Sequence, residues 1–365
     1  VCGRAFDEHG AQCIGIIHRV KRPYLFELFA VANLVLIALL AHASLPIVGS
    51  PLRHLLVFSV GIGMQALAGV AIRCVVALVR RDHSYFQVIR TRAWIVDTLR
   101  LIVGGALVVV VYGWIKLVVP LVHPRLFDAE LWELDRLLFF GVAPTTFLLD
   151  VFDAPAFLRV IDWSYANIFF ASASIAFAWA LSHPERRIRV AFANGNALLW
   201  ITGGWLYMLI PSLGPALRFP DVWFAHSEAL RTTQGLQAIL MRNYQNVLRA
   251  WNGQRVTEPI RIVFGIGAFP SLHVAFQMYV FLWTRRVWRS GQLLFGVFAF
   301  AIFLGSMITG WHYFIDAVFG LCMAYLAYRI CFPKHADDRA TDDAGRGAGG
   351  ADGTGGAGAD RVAAE

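Results

Sequence analysis

The chain has 365 residues, 58% of them hydrophobic, 14% aromatic and only 15% charged, with a mean hydropathy of +0.59. That is too apolar for a soluble domain of this length, so the composition predicts an all-α polytopic membrane protein. The net charge of +8 does not mark a nucleic-acid binder, because the arginines are spread over short loops instead of forming one basic face.

At roughly 20 apolar residues per crossing, eight segments qualify: 25–45, 55–79, 95–118, 158–181, 188–210, 264–283, 292–310 and 313–331. The first is of full membrane length without a small-residue cleavage pattern, so it is read as an anchor and not a cleaved signal peptide. Lys and Arg in short loops mark the cytoplasmic side. Arg19, Lys21 and Arg22 precede the first segment; Arg80, Arg81, Arg90 and Arg92 follow the second; Arg186, Arg187 and Arg189 follow the fourth; Arg285, Arg286 and Arg289 follow the sixth; Arg329 and Lys334 close the eighth. All fall on one side. Cytoplasmic termini follow, with the connections 119–157 and 211–262 on the outer face.

Within 119–157, ELWELDRLLFFGVAP carries Leu131, Leu134, Leu138 and Val142 at helical spacing. A short helix is expected, either lying in the membrane interface or roofing the bundle. Pro and Gly in IPSLGPALRFP (210–220) end the fifth crossing and deliver Arg218 to the same surface. Asp97 and Arg100 are expected to pair at i,i+3. From His335 to Glu365 the chain is Gly, Ala and Asp rich, with little to bury, and is expected to be disordered. The five cysteines (Cys2, Cys13, Cys74, Cys322 and Cys331) show no CxxC or Cys/His zinc spacing. No metal, cofactor or disulfide framework is expected.

Two histidines stand in apolar sequence, in FPSLHVAF (269–276) and GSMITGWHYFIDAVFG (305–320). Ionisable groups near membrane helices are functional candidates. On a helix, His312 and Asp316 at i+4 share a face, so the carboxylate can orient the imidazole as a nucleophile. His273 would protonate the leaving oxygen and then serve as base for the acceptor. Ser271, at a Pro-led helix start, can donate to a phosphate together with free backbone N–H groups. Arg218 is the first candidate for a phosphate clamp, with Arg255 and Arg261 behind it. The remaining histidines, among them His54, His83, His123, His183 and His226, are read as satisfied interfacial residues.

FPSLHVAF and GWHYFIDAVFG resemble the second and third signature motifs of the type 2 phosphatidic acid phosphatase superfamily. The resemblance implies a six-helix lipid-phosphatase-like core, a phosphohistidine on His312, Asp316 as its orienting partner and His273 as acid and base. ELDRLLFFGVAP, the aromatic segment around Asp162 and Tyr165, and MLIPSLGPALRFP are further similar to the inositol phosphorylceramide synthase (inositolphosphotransferase) branch and its bacterial relatives. This likeness covers roughly 95–331. Ser306 stands where the general superfamily has an Arg, and no Lys- and Arg-containing first motif ending in RP is recognised.

The expected organisation is an N-terminal segment with two membrane helices (1–94), a catalytic membrane domain (95–334) and a tail (335–365). The expected activity is a metal-independent lipid phosphotransferase or phosphatase, with membrane lipids as its partners and a site facing the extracytoplasmic side of a bacterial inner membrane. Transfer of an inositol-phosphate-like head group to a lipid or polyol is favoured by analogy. Lipid-phosphate or isoprenoid-phosphate hydrolysis is the alternative. A transporter with a His/Asp proton relay is disfavoured, because no inverted repeat is evident and the polar groups gather at one face.

Overall fold

The computed structural model describes residues 23–41, 51–256 and 258–332; the tail beyond 332, Lys334 and the basic residues before 23 lie outside them. Contacts group residues 1–331 into one unit, described here. Its helices are α1 (Leu25–Ala41), α2 (Pro51–Val79), α3 (Ser84–Ile89), α4 (Arg92–Val122), α5 (Asp128–Leu138), α6 (Pro144–Val151), α7 (Pro155–Leu181), α8 (Arg186–Leu209), α9 (Pro215–Arg218), α10 (Pro220–Phe224), α11 (Arg231–Trp251), α12 (Leu272–Val287), α13 (Gln292–Ile308) and α14 (Phe314–Cys331). There is no strand among the described residues. The chain is an all-α integral membrane bundle.

Eight crossings were expected, and a helix stands at each of those segments. Five of the described helices are long and apolar enough to cross a membrane: Leu52–Val79, Arg92–Val122, Pro155–Leu181, Arg289–Ile308 and Phe314–Cys331. The other three depart for separate reasons. α1 is a short apolar helix of 17 residues. α8 opens on Arg186, Arg187 and Arg189 and carries Asn194 and Asn196, yet it packs against α4, α12 and α14, where neighbouring helices and not lipid meet its polar face. α12 starts at Leu272 instead of 264, with the Ser271 hydroxyl accepting from Val274 N–H as an N-cap. The preceding residues cannot join that helix, because the N–H groups of Ala268 and Phe269 donate to the Ser212 carbonyl and hydroxyl.

Two apolar clusters hold the bundle. Phe26 and Ile37 of α1, Ile62 of α2, Leu101, Val108 and Ile115 of α4 and Ile201 of α8 form one. Tyr165 of α7, Val274 of α12, Ile302 of α13 and Ala317 of α14 form the other. Leu56, Val60, Leu67 and Val75 of α2 and Phe300 of α13 stay exposed, as side chains facing lipid tails would.

The ends of the bundle differ chemically. At one, Tyr85 and Trp94 donate to the Ser182 and His183 carbonyls, and Trp179 stacks on Trp288 at 4.2 Å between centroids. The basic groups of 80–92, 186–189 and 285–289 therefore collect there. Asp97 does not take Arg100 as its partner. It takes Arg186 and Arg189, while Arg100 pairs with Glu27 of α1, because tertiary neighbours outcompete the i,i+3 contact.

The opposite end is roofed by α5, oriented otherwise than its leucine stripe suggested. Asp128, Leu131 and Asp135 face inward, whereas Leu134, Leu138 and Val142 are exposed together with Leu137 and Phe140. Three of the four stripe residues point away from the protein because the inward face has another task. Asp128 accepts from Leu213 N–H, Gly214 N–H and the Tyr313 hydroxyl, and Asp135 accepts from Phe314 and Ile315 N–H at the start of α14. These are donors that a helix start and a tight loop leave unmet. Burial pushes both carboxyls up, Asp135 to about 6, against the opposing pull of those N–H groups.

Candidate active site

Both histidines arrive at the α5 end. The Ser271 N–H donates to the Asp316 carbonyl at 3.0 Å, which joins the two motif segments directly. His273 is the second residue of α12, half-buried, and its ring lies 5.8 Å from that of His312. His312 is 3% exposed and Asp316 fully buried.

The i+4 geometry differs from the expected one. α14 begins at Phe314, so His312 sits before the helix, and its Nδ1 is 3.6 Å from Asp316 Oδ2, too long for a hydrogen bond. Nδ1 instead lies 2.9 Å from the Ala268 carbonyl, to which it donates. Asp316 Oδ2 accepts from Tyr313 N–H at 2.9 Å, and Oδ1 is buried with no described partner. A first-turn carboxylate satisfying the helix N-terminus has won over the imidazole contact. The consequence for chemistry is a fixed tautomer: with the proton on Nδ1, Nε2 carries the free lone pair. Burial, more than the neighbouring Lys116, holds the imidazole down to about 3 despite the opposing Ala268 bond, so the ring is neutral around pH 7.

The surrounding loops are closely fitted. Trp311 N–H and His312 N–H both donate to the Ser306 carbonyl at 3.0 Å, and Ala216 N–H donates to the Gly310 carbonyl at 2.9 Å. Gly214 has φ +95°, and a Cβ there would run into the Trp311 carbonyl, so this position admits only glycine. Ser306, where an Arg was looked for, directs its hydroxyl to the Phe303 carbonyl and serves the fold.

The other candidates are placed unequally. Ser271 is fully buried, with its hydroxyl already accepting the cap bond. Arg218 is exposed at the end of α9 and close enough to Asp128 and Tyr313 to act on both electrostatically. It borders the site. Arg261 lies over the Phe264 ring, its backbone held by Asn243 of α11, and Arg255 is exposed after α11; no described contact brings either to the histidines. His123 and His226 are occupied, by the Met208 carbonyl and by Asp153, as expected of structural histidines.

A residue not singled out in the sequence stands here instead. Lys116 of α4 has its Nζ 5.5 Å from the Tyr112 ring and 5.4 Å from the Tyr207 ring. Its stem packs where a Gly265 side chain would be, and its charge acts on both His273 and His312. It is the one charged residue between 101 and 122, which was the available signal. Among the described residues no group of three or more His, Cys, Asp or Glu is placed to hold a metal ion.

A buried neutral imidazole, a second imidazole beside it and a lysine within electrostatic reach are groups that phosphoryl transfer can use. Residues 129–330 match the sequence profile of the PAP2 superfamily, more than half of the chain, and the chain belongs to that superfamily. Its activity is of the lipid phosphatase or phosphotransferase type. Comparison with curated proteins and with solved structures finds no match.

Proposed function

We propose that this protein is a metal-independent lipid phosphotransferase working through a phosphohistidine on His312. The observation that carries the reading is the Nδ1 bond to Ala268, which leaves Nε2 of a buried neutral imidazole as the nucleophile. Nε2 attacks phosphorus, the P–O bond to the leaving group breaks, and His273 gives that oxygen its proton. In the second half, His273 takes the proton of the acceptor hydroxyl, the acceptor oxygen bonds to phosphorus and the P–N bond breaks. Lys116 neutralises charge on the phosphoryl oxygens, with Arg218 at the rim and the Ser271 helix start behind.

Transfer to an alcohol is favoured over hydrolysis because the intermediate forms in an apolar setting. The Phe169 ring lies 4.4 Å from His273 and Tyr165 lies 5.6 Å away, and both limit access of water. An acceptor such as a lipid or polyol hydroxyl, with an inositol-phosphate-like donor head group, fits the likeness of 208–220 and 133–144 to the inositolphosphotransferase branch. The arginines collected at the opposite end support a site facing the extracytoplasmic side, and a bacterial inner membrane is the compartment that goes with this reading.

Purified protein in lipid, given labelled phospholipids and lipid phosphates with ceramide, diacylglycerol or inositol, is expected to form a new lipid carrying the donor's phospho-head group, unaffected by EDTA. Release of free phosphate or phospho-head group alone would make it a hydrolase, and activity restored by metal after chelation would refute the metal-free route. Asp316→Asn is expected to lower kcat by roughly a hundredfold to ten-thousandfold with little change in KM, because the carboxylate's charge matters most when the imidazole becomes cationic. Equal losses in kcat/KM and in thermal stability would assign Asp316 to the fold alone.

A further inference from the structure

Beside the two histidines, two buried hydrogen-bond donors have no partner among the described residues: the Tyr165 hydroxyl and the Trp311 indole N–H. Tyr165 is 6% exposed, its ring 5.6 Å from that of His273, with its far face against Gly305 of α13. Trp311 immediately precedes His312 and packs on the same apolar cluster as Tyr165, Val274 and Ala317. Tyr165 thus borders His273 directly, and Trp311 adjoins His312 along the chain.

An unmet buried donor costs about 1 to 3 kcal/mol, and folded proteins keep few. No hydrogen bond joins either donor to a nearby polar side chain, the likewise unpartnered Asp316 Oδ1 included. The hydroxyls of Ser306 and Thr309 are turned to the Phe303 and Gly305 carbonyls, and the Ser271 hydroxyl caps α12. The Tyr112 and Tyr207 hydroxyls pair with each other. What the pair lacks is a ligand that brings acceptors and no donors. Phosphoryl oxygens are such acceptors, and they are delivered to this place whenever His312 is phosphorylated.

We propose that Tyr165 and Trp311 form a donor pair for the non-bridging oxygens of the phosphoryl group on its way to and from His312. The assignment rests on the phosphohistidine reading above and adds a recognition element to it. Neither group gives up its proton: the phenol and the indole hold two oxygens by hydrogen bonds, while the P–O and P–N bonds exchange on Nε2. In a dry site, neutral donors held close to developing charge need little reorganisation. Their energetic cost in the empty protein becomes binding selectivity for the charged, oxygen-rich transition state.

The test uses full-length protein in lipid–detergent micelles, with orthovanadate as the pentavalent phosphate mimic. Tyr165→Phe removes one oxygen atom and nothing else. It is expected to lower kcat by roughly tenfold to a hundredfold and to weaken inhibition by vanadate about tenfold, while thermal stability stays level or rises because an unmet hydroxyl is gone. Trp311→Phe is expected to act in the same direction. Turnover and vanadate inhibition of Tyr165→Phe within twofold of the parent would overturn the proposal, and so would a loss of activity matched by a loss of thermal stability. His312→Asn separates the two levels. If it keeps turnover, the phosphohistidine reading itself fails; if it is inactive while Tyr165→Phe is unimpaired, only the donor pair fails.

Discussion

Replacing His312 with Asn is expected to reduce turnover at least about ten-thousandfold while the protein remains folded. The side-chain amide of Asn can keep a donor where Nδ1 now meets the Ala268 carbonyl, so the bridge between the 264–271 segment and the 309–313 turn survives. What disappears is Nε2, for which an amide supplies no nucleophilic lone pair. His312→Ala is expected to be equally inactive and less stable, since it also leaves a buried carbonyl without its donor. The measurement pairs turnover of a labelled lipid with trapping of an acid-labile phosphoprotein, present in the parent and absent in both variants. Substantial turnover by either would end the phosphohistidine proposal.

Asp128→Ala is expected to produce the largest loss of stability from a change outside the histidine pair. Its carboxylate accepts from the N–H groups of Leu213 and Gly214 and from the Tyr313 hydroxyl, all at 2.9 to 3.0 Å, and it is 1% exposed. Truncation leaves three buried donors unmet, at about 1 to 3 kcal/mol each before relaxation. A net loss of about 3 kcal/mol corresponds to a fall in melting temperature of roughly 4 to 5 °C for a chain of this length. Activity falls as well, because the released 212–214 loop packs on Trp311 and the Tyr313 hydroxyl loses its acceptor, and these two residues flank the nucleophile. Asp128→Asn retains one acceptor oxygen and is expected to lose less than half as much. Thermal unfolding in detergent measures both; an Ala variant as stable as the parent would show that the three donors find water.

The membrane bundle was legible in the sequence because hydropathy is additive along the chain, and the Pro-Ser start of α12 was legible because capping is local. The histidines announced themselves by their apolar surroundings. Lys116 carried the same signal between 101 and 122, and its place near both imidazoles shows that the rule should have been applied to it too. Periodicity alone misled at two places. Of the α5 stripe only Leu131 is buried, while Leu134, Leu138 and Val142 face outward, since in lipid an apolar face is no guide to the core. The spacing of His312 and Asp316 fits a helix, but the helix starts two residues later and Asp316 turns to its N-terminus. The partnership of Asp128 with 213–214, and of Asp135 with 314–315, has no sequence signature, because the partners lie 85 to 185 residues apart.

Those separations bear on how the molecule comes to exist. The start of α14 is capped by a carboxylate made some 180 residues earlier, and α11 is likewise capped by Asp162 of α7, 70 residues before it. Neither helix start is completed by its own neighbourhood, so each must wait for a distant part of the chain to be in place. Synthesis runs from the N-terminus, which delivers α5 to the membrane surface well before its partners. The His312 bond to Ala268 likewise joins segments 44 residues apart, so the nucleophile takes its position only when α12 and the turn before α14 have come together.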